Sequence, residues 1–239
     1  MIKQIVKKIS RRFGFEVQRY SPASSHSAQL LEALKFVNAN VVLDIGANVG
    51  QFAKELRMSG FNGEIISFEP LSSAHSLLTI AARHDSAWHV HPRVALGDNE
   101  SSTTINIAAN SVSSSILPML DAHLAAAQES AYSSCETVNV VTLDSVSSYY
   151  LTELSRPFIK IDAQGFEWQV LDGANETLRS AYGVLLELSL IPLYDGQRLW
   201  LELVERMAAN GFVTWALQKG FTDSKNGRTL QIDGIFLRN

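Results

Sequence analysis

VVLDIGANVGQFA, residues 41–53, is the stretch on which the fold turns. Val41 to Ile45 is short, apolar and rich in β-branched residues, which suits a strand buried on both faces. Gly46 and Gly50 then permit a tight turn and a close approach to the backbone. From Gln51 onward, Phe52, Ala53 and Leu56 recur at helical spacing. Strand, glycine turn and helix together open a nucleotide-binding α/β unit.

The acid before the turn narrows the ligand. A dinucleotide fingerprint needs G-x-G-x-x-G, but Asn48 and Gln51 stand at its second and third glycine positions. No Lys-Ser or Lys-Thr follows the turn, which excludes a P-loop. Asp44 would repel a pyrophosphate. It suits a cofactor with positive charge and no phosphate, such as S-adenosylmethionine, whose single carboxylate the N–H groups of the turn could receive. The next apolar run, in EIISFEP at 64–70, ends in Glu69, 23 positions after Gly46. An acid about 20 residues beyond the glycine turn is placed for ribose hydroxyls.

Further motifs follow in order: VALGD at 94–98, TLDSV at 142–146, KIDAQGFEWQVLDGA at 160–174, LLELSL at 185–190, PLYDGQ at 192–197 and QIDGIFLRN at 231–239. Together with VLDIGANVGQFA and FEP they resemble the FkbM-type methyltransferases over roughly residues 28–239. The resemblance implies a class I methyltransferase fold, S-adenosylmethionine as donor and a hydroxyl oxygen as acceptor. The candidate cofactor residues are Asp44, Gly46, Asn48, Gly50, Glu69, Ala95 and Asp162. One position departs from the family pattern. Where Asp-x-Glu-Gly-x-Glu is usual, this chain has Asp162-Ala163-Gln164-Gly165-Phe166-Glu167, so an amide replaces a carboxylate at Gln164.

Composition bounds the rest. A chain of 239 residues can form one large α/β domain. One cysteine, Cys135, excludes an intrachain disulfide and a cysteine-rich zinc site, and fits a reducing compartment such as the cytoplasm. No apolar run approaches the ~20 residues that span a bilayer, and the N-terminus lacks the apolar core of a secretion signal. Charge is uneven. Residues 1–20 carry +5 and the remainder −9, and an acidic main domain argues against a nucleic-acid substrate. Ile2, Ile5, Val6, Ile9 and Phe13 recur at helical spacing among the basic residues. This stripe either packs on the chain's own domain, the reading preferred on sequence, or lies on an anionic membrane surface or a partner.

Alternating strands and helices predict a doubly wound, mostly parallel sheet with an antiparallel terminal strand. Residues 1–27 form the basic segment and linker, and 28–239 the methyltransferase domain. Helices are expected over 28–38, 72–83, 165–180 and 197–210, and strands over 88–96, 103–107, 138–143, 157–162 and 183–189. A terminal antiparallel pair is expected over 212–218 and 232–238. The serine-rich and then alanine-rich stretch 110–134 falls outside the alternation and is read as a lid over the acceptor.

Ligands of such sheets sit at the carboxyl ends of the strands. Asp162 and Glu187 end two of them and are the candidates for the general base or for orienting the acceptor. Alternatively, Asp162 anchors the methionine end of the cofactor and Glu187 is a buried structural acid. His89 and His91 would share a strand face, but no acid completes a metal site with them. No metal is assigned, and Mg²⁺ between Asp162 and Glu187 is the variant that would lower the acceptor's pKa. The acceptor is a small molecule or a glycan. Two other classes stay open: a nicotinamide-dependent sugar oxidoreductase or epimerase, which would lack both its glycines and a Tyr-x-x-x-Lys pair, and a non-catalytic cofactor-binding module.

Overall fold

The computed structural model describes residues 2–17 and 19–238. After an N-terminal helix α1 (Ile2–Arg12), α2 (His26–Phe36) leads into β1 (Val41–Ile45). Ser25 caps α2 by accepting the Ala28 N–H, so the helix begins inside the expected linker. The chain then alternates through α3 (Gln51–Ser59), β2 (Glu64–Phe68), α4 (Ser72–Ala82) and β3 (Trp88–Val90). Later come β7 (Pro157–Ile161), α7 (Glu167–Asp172), α8 (Asn175–Ser180), β8 (Gly183–Ser189), α9 (Trp200–Ala209), β9 (Val213–Lys219) and β10 (Gln231–Leu237). Seven strands form one sheet in the order β3-β2-β1-β7-β8-β10-β9. β10 is antiparallel to both neighbours, and the pairs from β3 to β8 are parallel.

Alternation along each central strand builds the core. Val41, Leu43 and Ile45 pack with Ile159 and Ile161 against the side carrying Val146, Val170, Leu178 and Met207. Val42, Ile65 and Phe158 face Leu30, Leu34, Leu56 and Leu78 on the other. Helices therefore cover both faces, which is why β1 reads as a continuous apolar run.

Three expectations are corrected. The strand expected over 88–96 is two strands, β3 in the main sheet and β4 (Ala95–Leu96) in a second. Pro92, which has no N–H to donate, lies in the break. β4 pairs with β6 (Tyr132–Val141), which pairs with β5 (Ser101–Ala108), so the hairpin flanking the insert is longer than expected and belongs to a separate three-stranded sheet. The helix expected over 165–180 breaks at Gly173. A Cβ there would meet the Gly97 carbonyl oxygen at 1.9 Å, a contact with a distant loop that no helical periodicity reports. Between β5 and β6 the insert contains α5 (Asp121–Ala126) and a 3₁₀ turn at Gln128–Ser130, and α6 (Leu143–Ser147) follows the hairpin.

The described residues of the N-terminal stripe, Val6, Ile9 and Phe13, do not pack on the domain. Val6, Ile9 and Phe13 are 44%, 53% and 74% exposed. The side chains of Ile2 and Ile5 lie outside the described residues.

Candidate functional site

Strand register builds the site. Ile45 pairs with Phe68 on one side and Ile161 on the other, and Ile161 pairs with Leu186. The next residues, Glu69, Gly46, Asp162 and Glu187, therefore stand in one row. Asp233 extends it, because it lies opposite Glu187 on β10. Five strands at about 4.8 Å spacing make this row roughly 19 Å long. Above it lies a cavity of about 310 Å³ whose lining includes Gly46, Asn48, Glu69, Ala95, Asp162 and Glu187. The cavity thus brings together six of the eight site residues expected from sequence, five from the strand ends and turns of the main sheet and Ala95 from β4 of the second.

Asp44 and Gly50 do not line the cavity. Asp44 is completely buried and pairs across β1 with Ser67 on β2 and Lys160 on β7. Trp88 Nε1 donates to Ser67 Oγ at 2.9 Å, and Ser67 Oγ donates to Asp44 Oδ2 at 3.1 Å. Lys160 Nζ lies 3.2 Å from Asp44 Oδ1 and 3.6 Å from Asp162 Oδ2. It donates to the carbonyls of Ile45 at 3.2 Å and Gly46 at 3.0 Å. Burial alone would lower the pKa of this ammonium, but Asp44 and Asp162 outweigh burial and hold it above the ordinary lysine value. The acid before the glycine turn is the counter-ion of a buried lysine that ties down the end of β1.

The glycines are explained by the chain itself. Gly46 has φ +75°, and a Cβ would meet the Asp162 carbonyl oxygen at 1.8 Å; at Gly50, with φ +83°, it would meet the Trp88 ring at 2.7 Å. The turn's N–H groups are also engaged, contrary to the expectation that they receive a carboxylate. Gly46 and Ala47 donate to the Phe68 carbonyl, Gly50 to Ala47, and Asn48 to Glu69 Oε2 at 2.7 Å.

Glu69 also accepts from Leu71 N–H at 2.8 Å. Its carboxylate thereby fixes both loops beside the cavity and keeps lone pairs for a further donor. Burial raises its pKa to about 7 in spite of those two bonds.

At the other end of the row Gln164, in the left-handed region at φ +51°, links the acids. Its Nε2 donates to Asp162 Oδ1 at 2.6 Å and to Glu187 Oε2 at 3.1 Å, while its Oε1 accepts from the Tyr194 hydroxyl at 2.8 Å. Burial, then the charges of Asp162, Glu167 and Asp233, push the pKa of Glu187 well above the usual carboxylate range. Asp233 is raised to about 6, chiefly by burial. Glu167 is buried and accepts the Ala163 and Gly165 N–H groups at 3.0 and 2.9 Å, holding the turn rather than facing the ligand.

The insert reaches the same place. Ser111 Oγ accepts from Asn48 Nδ2 at 3.2 Å, and Ser115 Oγ donates to the Gln164 carbonyl at 2.6 Å. His123 on α5 is buried between the Tyr194 and Phe221 rings, with centroids at 5.3 and 5.1 Å. His89 and His91 do not share a face. β3 ends at Val90, so His89 is exposed beside Glu64 and His91 turns inward to Tyr150. Among the described residues, no group of three or more His, Cys, Asp or Glu is arranged to hold a metal.

Sequence reasoning missed Lys160, Gln164 as a bridge, Asp233 and Tyr194. A signal existed for two of them: Lys160 and Asp233 are charges inside apolar strand runs, and such charges need partners when buried.

The described lining carries Glu55, Glu69, Asp162, Glu187 and Asp233 against one ammonium, Lys160. With Glu187 neutral the other four acids still outnumber the ammonium, a balance that favours a cationic ligand over a phosphate-bearing one. On the β2 side, Phe68, Leu71, Ala95, Leu96 and Ile105 supply an apolar wall for a flat ring. These features fit S-adenosylmethionine.

Comparison with known proteins leads the same way. No curated protein sequence matches the chain. A putative O-methyltransferase from Klebsiella pneumoniae aligns with a TM-score of 0.51 at 11% identity, over 99% of this chain and 89% of that one. TehB from Haemophilus influenzae aligns at 0.47 with 9% identity, over 88% of this chain, which spans 62% of the TehB chain. Magnesium protoporphyrin IX methyltransferase from Synechocystis, solved with bound S-adenosylmethionine, gives 0.46 at 10% identity, over 99% and 97%. Identities this low concern the fold alone, and the match at 0.51 agrees with the methyltransferase-type sheet described above. The model of the methyltransferase FkbM domain, by contrast, matches residues 44–214, well over half of the chain, with Gly46, Glu69, Asp162 and Glu187 of the row inside the match and Asp233 beyond it. The chain belongs to the FkbM methyltransferase family.

Proposed function

We propose that this methyltransferase transfers its methyl group to a hydroxyl oxygen of a small molecule or glycan. The observation that carries the reading is the row of acids beside the cavity, in which Asp162 and Glu187 are both half-buried and share the Gln164 amide. S-adenosylmethionine, when bound, supplies an electrophilic methyl group on a sulfonium. Glu69 and Asn48 would hold it on the β2 side, with Gly46, Ala95 and Asp162 along the same lining, while Asp44 acts through Lys160. Asp162 would accept the proton of the acceptor hydroxyl, and Glu187, whose raised pKa favours its neutral form, would orient that hydroxyl. An unactivated alcohol is a poor nucleophile at neutral pH, and a positioned base contributes typically 10²–10⁴-fold. Alignment contributes on the order of 7–11 kcal/mol in favourable cases. An acidic cleft also favours neutral polyols over phosphorylated acceptors, which supports the small-molecule or glycan class and speaks against nucleic acid.

The test is methyl transfer from isotopically labelled S-adenosylmethionine to a panel of polyols, sugars and amines. The label should appear as an alkali-stable methyl ether, located by NMR. Label on nitrogen or carbon, or as an alkali-labile ester, would refute hydroxyl transfer. Donor binding without turnover on any acceptor would favour a non-catalytic module.

A further inference from the structure

We infer that residues 1–20 dock the protein on an anionic lipid surface, an inference independent of the acceptor reading. In the sequence of α1 and the residue after it, Ile2, Ile5, Val6, Ile9 and Phe13 recur on one side at helical spacing, and Lys3, Lys7, Lys8, Arg11 and Arg12 fall on the other. Val6, Ile9 and Phe13 are exposed, and beyond the helix Phe15, Val17 and Tyr20 are 70%, 44% and 63% exposed. A helix of 11 residues is about 16 Å long, too short to cross a bilayer of about 30 Å but suited to lying in its interface. Apolar side chains then enter the acyl boundary while lysine and arginine meet the headgroups.

Charge selects the partner. The segment carries +5 and the rest of the chain −9, so attraction to an anionic surface is confined to this helix while the acidic domain is repelled. A second copy of the helix would bring its basic groups against these. Nucleic acid would satisfy the charges but leave Val6, Ile9 and Phe13 in water. An anionic membrane accommodates both faces together.

The experiment is flotation of the full chain with vesicles of phosphatidylcholine and phosphatidylglycerol, beside vesicles of phosphatidylcholine alone. Binding is expected only to the mixed vesicles and should weaken with salt. Each basic group near such a surface contributes about fivefold, so Lys7→Gln/Lys8→Gln should weaken partitioning by about 30-fold. Ile9→Ser/Phe13→Ser should also release the protein, with the melting temperature and donor affinity of both variants unchanged. The inference is overturned by absence of flotation at low salt, or by equal binding of wild type and Lys7→Gln/Lys8→Gln. Self-association that Ile9→Ser/Phe13→Ser dissolves would overturn it in favour of a second copy. Tight binding to an oligonucleotide that survives Ile9→Ser/Phe13→Ser would overturn it in favour of nucleic acid.

Discussion

Replacing Asp44 by Asn tests whether the acid of the opening motif is structural. The carboxylate is fully buried, 3.2 Å from Lys160 Nζ, and receives the Ser67 hydroxyl. Asparagine keeps the shape and an acceptor but removes the charge, leaving the ammonium with Asp162 at 3.6 Å and two carbonyls. Breaking a buried pair by removing one partner costs about 3–5 kcal/mol, and the surviving contacts place this case near 3 kcal/mol. For a domain of this size that corresponds to a fall of about 6–12 °C in melting temperature. Urea unfolding followed by circular dichroism measures it, with an unchanged denaturant slope showing that two-state behaviour persists. Lys160→Met should cost a similar amount, because it strands Asp44 without a counter-charge. The double variant Asp44→Asn/Lys160→Met should then be more stable than the sum of the two losses predicts, by about 1–3 kcal/mol. A loss below about 1 kcal/mol for Asp44→Asn, or strict additivity in the cycle, would refute the pairing.

Three further outcomes follow from the same row. Gln164→Glu restores the family's acid but removes the amide donor shared by Asp162 and Glu187; it should destabilise the fold by about 2 kcal/mol at pH 8 and less at pH 5, and identical losses at both would contradict the bridge. Burial raises the Glu69 pKa from 4.5 to about 7, so its protonated form stabilises the fold fully below about 4.5, and that contribution is lost as pH rises through about 7. Glu69→Gln should therefore remove one proton's share, about 1.4 kcal/mol per pH unit, from the decline of stability across that window, and parallel pH profiles would contradict it. If residues 110–134 close over the acceptor, their hydrogen exchange should slow when demethylated donor product and acceptor are both bound, and equal exchange in free and bound states would remove the lid.

Much of the fold was legible because its signals are local. Apolar runs ending in Asp44, Glu69, Asp162 and Glu187 mark strands, and the parallel alternation then aligns their ends. What escaped depends on contacts between distant residues. The need for glycine at 173 answers to Gly97, the partner of Asp44 is Lys160 on a strand far along the chain, and Tyr194 meets Gln164 where the segment after β8 packs on the insert. Asp44 and the glycines were read as ligand contacts since their pattern resembles nucleotide turns. In the structure the side-chain space at both glycines is filled by the protein itself, and the carboxylate of Asp44 answers a buried lysine. The N-terminal stripe shows the converse. Its amphipathicity was plain in the sequence, but what covers it is a tertiary fact, and the domain leaves Val6, Ile9 and Phe13 exposed.

The most direct test of the central claim, that Asp162 takes the proton of an acceptor hydroxyl, is donor affinity and kcat measured together for Asp162→Asn. Asparagine preserves size and an acceptor for the Gln164 amide while removing the base. The account predicts that kcat falls by at least ~10²-fold while donor affinity changes little. Collapse of donor affinity with kcat preserved at saturating donor would contradict it, and would place Asp162 in the cofactor site alone.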